Sequence, residues 1–129
     1  MNPVDLRFIA ATACAVAVLF CPRWALAHHS YAMFDDSNVA QVSGTVRTLE
    51  WMNPHVWLWL TVTDKNGASA DYAFEGNSIG EMMRRSGWTK STVMTGDKIV
   101  VSYRPFKDGK HGGKLDKVVL SDGRTIEGG

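Results

Sequence analysis

VWLWLTVT, residues 56–63, has the clearest secondary-structure pattern in this sequence. Its aliphatic residues occupy the even-numbered positions, whereas Trp57 and Trp59 occupy odd-numbered positions. Because side chains alternate between the two faces of an extended chain, this pattern predicts a β-strand. We expect the aliphatic face to point into a core and the face with the tryptophans to point away from it.

Four more segments on either side of this stretch have the composition of strands. They are 39–51 (VAQVSGTVRTLEW), 70–75 (ADYAFE), 98–104 (KIVVSYR) and 115–120 (LDKVVL). The turn signal at 64–67 (DKNG) predicts a hairpin between the central strand and the strand at 70–75, since glycine adopts positive φ cheaply. Residues 107–114 (KDGKHGGK) are expected to form a loop between the last two strands, and the tail after Gly123 is expected to fray.

A short helix is predicted between the third and fourth strands from the signals at its two ends. Ser78 and Glu81 have the spacing of a capping box, in which each side chain accepts a hydrogen bond from a free backbone N–H of the first turn. Gly87 stands where a left-handed residue ends a helix. Met82 and Met83 contribute to the apolar side of this helix.

The order of these elements is three strands, a helix and two strands, which is the order of the OB-fold. The expected fold class is therefore all-β with one short helix, arranged as a small five-stranded OB-like Greek-key barrel over residues 39–129. Gly44 fits the bend that such a barrel needs in a long first strand. The helix would close the bottom of the barrel, and a generic small β-sandwich is the alternative architecture.

Residues 1–27 are expected to be a secretory signal peptide that is cleaved after Ala27. An uncharged apolar run at 8–21 (FIAATACAVAVLFC) precedes the triplet ALA at 25–27, which has the Ala-x-Ala form of a cleavage site. The run is shorter than the roughly 20 residues that span a bilayer, which disfavours a retained membrane anchor. We therefore expect a periplasmic protein without a stable membrane anchor, whose residues 28–38 form an N-terminal arm.

The composition of the expected mature chain excludes several kinds of site. Both cysteines, Cys14 and Cys21, fall in the predicted signal peptide, so neither a disulfide nor a thiolate metal site is expected. The basic and acidic side chains that remain are equal in number, which disfavours nucleic acid as a partner. No serine in a nucleophile motif and no pair of acids is evident, so we interpret the protein as a binding domain rather than an enzyme.

Motifs spread over the chain after residue 27 resemble a family of uncharacterised small exported bacterial proteins, in the domain-of-unknown-function class. They are AHHSYAMFD at 27–35, GTVRTLEWMNPHVWL at 44–58, FEG at 74–76, RRSGW at 84–88, TGDKIVV at 95–101 and the KDG..GG loop at 107–113. The resemblance implies export and a small β-barrel. It implies no activity.

The histidines are the candidate metal ligands: His28, His29, His55 and His111. If the signal peptide is cut after Ala27, His28 offers both an amine and an imidazole, and one further imidazole would complete a histidine brace suited to copper. His29 offers a competing mode through the amine, a backbone amide and its own ring. His55 and His111 lie in the connections that flank one ligand-binding face of the OB-fold. The hypothesis is a copper or zinc site, and ordinary solvated histidines are the alternative.

A second hypothesis is a metal-free accessory module. Trp57 and Trp59 share the outward face of the central strand, and Trp51 and Asn53 lie close to them in sequence. An exposed apolar surface usually marks a contact with a partner. We therefore expect these residues to bind a protein partner or a small apolar ligand if the metal hypothesis fails.

Overall fold

The computed structural model describes residues 32–129, so the predicted signal peptide, His28 and His29 lie outside the described residues. The described chain forms six strands and one helix. These are β1 (Ala40–Glu50), β2 (Trp57–Thr63), β3 (Ser69–Glu75), α1 (Ile79–Ser86), β4 (Lys98–Pro105), β5 (Gly112–Val119) and β6 (Thr125–Glu127). Within residues 32–129, no helix has the length and apolar character that crossing a bilayer requires.

The strands form a closed barrel. Their order in the sheet is β3-β2-β1-β4-β5-β6, and a further pairing joins β3 to β5. All neighbours are antiparallel except β3 and β5, which run parallel and pair Ala73 with Gly112 and Glu75 with Lys114. This pairing closes five strands on themselves and leaves β6 attached to the edge of β5. The predicted five-stranded OB-like barrel is confirmed, and the alternative of a generic small β-sandwich is wrong.

The barrel interior is filled by the aliphatic face of β2 and by side chains that meet it. Val56, Leu58 and Leu60 are at most 1% exposed, and Phe74 of β3 is fully buried. The alternation of the 56–63 stretch therefore has the predicted orientation. Trp88, which follows α1, is also fully buried and belongs to the same core.

Helix α1 begins and ends where its capping residues predict. The Ser78 hydroxyl accepts a hydrogen bond from the backbone N–H of Glu81 at 3.3 Å, and Gly87 follows the last turn with φ of 71°. Met82 is fully buried in the core, whereas Met83 on the next position is 53% exposed. The helix thus contacts the barrel core through a single methionine of the pair.

The last strands differ from the prediction in two places. β5 begins at Gly112 rather than at residue 115, and the tail that was expected to fray pairs with β5 as β6. A side chain at Gly112 would meet the Ala73 carbonyl oxygen at 1.9 Å, so glycine permits the close pairing of β3 and β5. The tail is held because Ile126 pairs with β5 and the Glu127 carbonyl accepts a hydrogen bond from the Trp88 indole at 2.6 Å.

Gly44 lies at a close approach of two strands. A Cβ there would lie 3.0 Å from both Leu60 and the Thr61 carbonyl oxygen, so glycine lets β1 lie tightly against β2. The register irregularity between these strands lies further along, between Val46 and Thr48.

The described part of the N-terminal arm lies against the end of β4. Phe34 is 2% exposed and packs on Phe106 with ring centroids 5.3 Å apart. The backbone N–H of Asp35 donates to the Pro105 carbonyl at 2.8 Å, and the N–H of Lys107 donates to the Met33 carbonyl at 2.9 Å. The arm thereby brings Met33 to the outer surface of the barrel.

Candidate binding groove

A groove of about 700 Å³ lies on the outer face of β2 and β3, beside the loop that joins β4 to β5. We call it the β2–β3 groove. Its lining residues are Met33, Trp57, Trp59, Asp71, Ala73, Phe106, Asp108, Gly109, Lys110 and His111. Large apolar side chains with a few polar groups, around a volume of roughly 300–1,000 Å³, are typical of small-molecule sites.

The two tryptophans of β2 form one side of the groove. Trp57 and Trp59 are separated by one residue and therefore point to the same face of the strand. Their ring centroids are 6.3 Å apart, and the ring planes are inclined by 31°. Opposite Trp59 on β3 stands Ala73, whose small side chain leaves the space in front of the ring open. The indole Nε1 of Trp59 is buried and finds no hydrogen-bond acceptor among the described residues.

An ion pair lies over one face of the Trp59 ring. The Arg47 guanidinium carbon lies 5.2 Å from the Trp59 ring centroid, within the range of a cation–π contact. The same guanidinium lies 3.2 Å from a carboxylate oxygen of Asp71, and the Thr61 hydroxyl donates to that carboxylate at 3.2 Å. Arg47 and Asp71 are each about half exposed, so the pair positions these groups more than it stabilises the fold.

The β4–β5 loop forms the opposite side of the groove. Asp108 accepts hydrogen bonds from the backbone N–H of Lys110 at 3.1 Å and from its ammonium at 2.9 Å. These bonds hold the pKa of the Asp108 carboxyl below its usual value. The ring of His111 stacks on Tyr72 with centroids 4.6 Å apart and planes 12° apart. The loop is therefore tied to β3 at its far end.

A second polar cluster lies at the end of β3, next to the start of α1. Glu75 is 4% exposed, and its carboxylate contacts Nδ1 of His55. The Lys114 ammonium donates to the Gly76 carbonyl at 3.2 Å and to the side-chain oxygen of Asn77. Burial lowers the pKa of Lys114, against the opposing attraction of nearby carboxylates. This cluster joins the β1–β2 connection, β3 and β5 by partly buried polar contacts.

The candidate residues from the sequence divide between these two places and the core. Trp57, Trp59 and His111 line the β2–β3 groove, whereas His55 lies in the cluster around Glu75. Trp51 packs partly buried against the barrel core, and the Asn53 side chain accepts a hydrogen bond from the Ile79 backbone N–H at 3.0 Å, at the start of α1. Among residues 32–129, no group of three or more histidine, cysteine or acidic side chains is placed to hold a metal ion.

Several groove residues do not emerge from sequence reasoning. For Asp71 a signal exists, because counting outward from the 64–67 turn pairs Thr61 with Asp71 and places the carboxylate on the tryptophan face. Phe106 and Met33 carry no such signal. Their positions depend on the docking of the N-terminal arm against β4, which joins residues about 70 positions apart.

The comparisons with known proteins give one finding. The model of a family of unknown function, DUF6152, matches residues 16–116. The match begins inside the predicted signal peptide and ends within β5, so it covers most of the chain. The resemblance to an uncharacterised family is thereby confirmed. No curated protein and no solved structure matches the chain.

Proposed function

We propose that this chain, which belongs to the family of unknown function DUF6152, is a binding module that holds a ligand in the β2–β3 groove. The ligand is a small molecule, or a segment of a larger one, with an apolar surface that rests on Trp57 and Trp59. This is the metal-free hypothesis of the two that the sequence raises.

The observation that carries the proposal is the place of the groove in the barrel. OB-folds bind their ligands on the face of strands two and three, between the loops that connect strands one and two and strands four and five. The β2–β3 groove is lined by β2, by β3 and by the β4–β5 loop. Its position therefore coincides with the face that this architecture uses for binding.

The side chains that line the groove favour the binding of a ligand. Trp57 and Trp59 expose part of their rings, and removing these surfaces from water would favour association. Both rings lie on a rigid strand in the middle of a sheet, so little conformational entropy is lost when a ligand binds them.

We also propose that the module works after export to the periplasm. The apolar run at 8–21 and the triplet at 25–27 support this location. Mass spectrometry of the protein recovered from the periplasm tests it, and we expect a mature chain that begins at His28. A protein that stays in the cytoplasm with its first residues intact would contradict the assignment.

Titration with indole tests the binding function, because indole is a neutral aromatic molecule small enough for the groove. In two-dimensional NMR of isotope-labelled protein, we expect saturable shifts of the indole N–H of Trp57 and of the backbone amides of Ala73 and Lys110. Trp57→Ala should abolish the saturation, since it removes one side of the groove.

Met94→Ala is the matched control. Met94 is another large apolar side chain, 59% exposed, and it does not line the groove. The control should bind indole as the natural protein does. Shifts that scatter over the surface, or that persist unchanged in Trp57→Ala, would contradict a binding function for the β2–β3 groove.

A further inference from the structure

The charges and aromatic rings of the β2–β3 groove indicate which chemical class it takes. We propose that its ligand is a neutral oligosaccharide of at least two pyranose rings, stacked on Trp57 and Trp59. This inference rests on the proposed binding function and adds the identity of the ligand class.

The charged groups of the groove are balanced in pairs. Among the described residues, the two carboxylates of the groove have cationic partners: Asp71 lies 3.2 Å from Arg47, and Asp108 lies 2.9 Å from Lys110. The lining therefore offers no excess charge of either sign to an ionic ligand. A charged ligand would give up its hydration without gaining a free counter-charge, so the groove favours a neutral one.

The groove also combines hydrogen-bond donors with acceptors. An ion pair at the edge of a groove presents acceptor oxygens and donor nitrogens side by side. A sugar hydroxyl both donates and accepts, so it can bond to both members of such a pair at once. The guanidinium of the Arg47–Asp71 pair lies over one face of Trp59, and the Asp108–Lys110 pair lies across the groove in the β4–β5 loop. Purely apolar ligands would leave these groups unused.

The aromatic surface of the groove has a shape that suits sugar rings. A pyranose ring has a face of C–H groups and an edge of hydroxyls, and the C–H groups are attracted to the negative face of an aromatic ring. The two tryptophan rings are 6.3 Å apart on one strand face and inclined by 31°. Arg47 lies over one face of Trp59, so the two stacking platforms are the ring of Trp57 and the other face of Trp59. Two adjacent platforms fit consecutive sugar units better than one flat aromatic molecule.

Isothermal titration of the full chain tests the class. The probes are four neutral tetrasaccharides, namely cellotetraose, laminaritetraose, maltotetraose and chitotetraose, together with glucose, tetragalacturonate and an octaproline peptide. We expect at least one neutral tetrasaccharide to bind about ten-fold or more tightly than glucose, because only the longer chain reaches both platforms. Tetragalacturonate, which carries a carboxylate on each ring, should bind about ten-fold or more weakly than the best neutral probe.

Two variants locate the binding. Trp57→Ala should weaken the best tetrasaccharide about ten-fold or more, since it removes one stacking platform. Ala73→Leu keeps both tryptophans and fills the space in front of Trp59, so it should also weaken binding. Circular dichroism of each variant establishes that it has folded, and Met94→Ala should bind as the natural protein does.

The outcomes separate this inference from the proposed function. If indole saturates the groove but no neutral tetrasaccharide binds, the sugar class is overturned while the binding function stands. Octaproline that binds in a Trp57-dependent way, without sugar binding, would identify a peptide ligand instead and overturn the inference. If neither indole nor any sugar binds, both proposals fail together.

Discussion

Gly112→Ala is expected to open the barrel, because Gly112 lies at the seam where β3 and β5 close it. The residue has φ of 113°, a conformation that costs a residue with a side chain about 1–3 kcal/mol. A Cβ there would also lie 1.9 Å from the Ala73 carbonyl oxygen, and backbone on both strands would have to move. The hydrogen bonds from Ala73 N–H to the His111 carbonyl and from Phe106 N–H to the Gly112 carbonyl would then weaken.

The size of the effect follows from these contributions. Each of the two backbone hydrogen bonds contributes about 1 kcal/mol net. With the backbone strain, the free energy of unfolding should fall by about 3–5 kcal/mol. That is a large part of the roughly 5–15 kcal/mol that stabilises a domain. In urea, with a slope of about 1–2 kcal/mol per molar, the midpoint should fall by about 1.5 M or more.

Gly109→Ala is the matched control for this measurement. Gly109 lies in the adjacent β4–β5 loop with φ of 79°, but a Cβ there meets no atom of residues 32–129 within 4 Å. It should therefore lose only the strain of a left-handed backbone, about 1 kcal/mol. Urea unfolding followed by tryptophan fluorescence compares the two variants. Equal losses of stability would refute the reasoning, since they would mean that the approach of β3 to Gly112 contributes nothing.

Three further predictions concern the helix, the polar cluster and the metal hypothesis. Met82→Ala should lower the free energy of unfolding by about 2–5 kcal/mol because it leaves a cavity in the core. Met83 is exposed, so Met83→Ala should change the free energy of unfolding by less than about 0.5 kcal/mol. Equal shifts of the two urea midpoints would contradict the packing of α1. Burial lowers the pKa of Lys114 in the folded protein from its ordinary value of 10.5. Between this lowered pKa and 10.5, the unfolded chain binds more protons than the folded chain, so the free energy of unfolding should rise as the pH increases towards 10.5. Lys114→Met should lack this rise. If the urea midpoint of the natural protein falls relative to that of the variant over this pH range, the prediction is wrong. The copper hypothesis predicts that a chain beginning at His28 binds cupric ion stoichiometrically and that one extra residue ahead of His28 weakens the binding sharply; calorimetry that finds equal affinity would remove the brace.

The barrel is predictable from this sequence because its signals are local. The alternation of residues 56–63, the turn at 64–67 and the caps Ser78 and Gly87 each act within a few positions, and the structure follows each of them. Strand β6 is different, because its three residues are too few to show the alternation of apolar and polar residues that predicts a strand. It forms because the finished barrel offers the edge of β5 and the Trp88 indole, and both exist only after long-range folding.

The candidate site is predictable only in part, for the same reason. Trp57 and Trp59 follow from strand alternation, and the OB-like order points to the loop that contains His111. The partners that define the chemistry come from elsewhere in the chain. Arg47 on β1 contacts Trp59, and Glu75 at the end of β3 contacts His55, so each contact depends on the register between strands. Residue types alone do not specify such registers.

Strand β6 also has a consequence for how molecules of this protein behave towards each other. β3 pairs with β5 only at residues 112–114, and β6 pairs with residues 117–119 further along the same side. Without Thr125–Glu127, that stretch of β5 would turn its main-chain donors and acceptors to the solvent. A strand edge exposed in this way can form backbone hydrogen bonds with a strand of a neighbouring molecule, and such pairing leads to polymerisation. Three residues near the end of the chain therefore protect the protein from aggregation at high concentration.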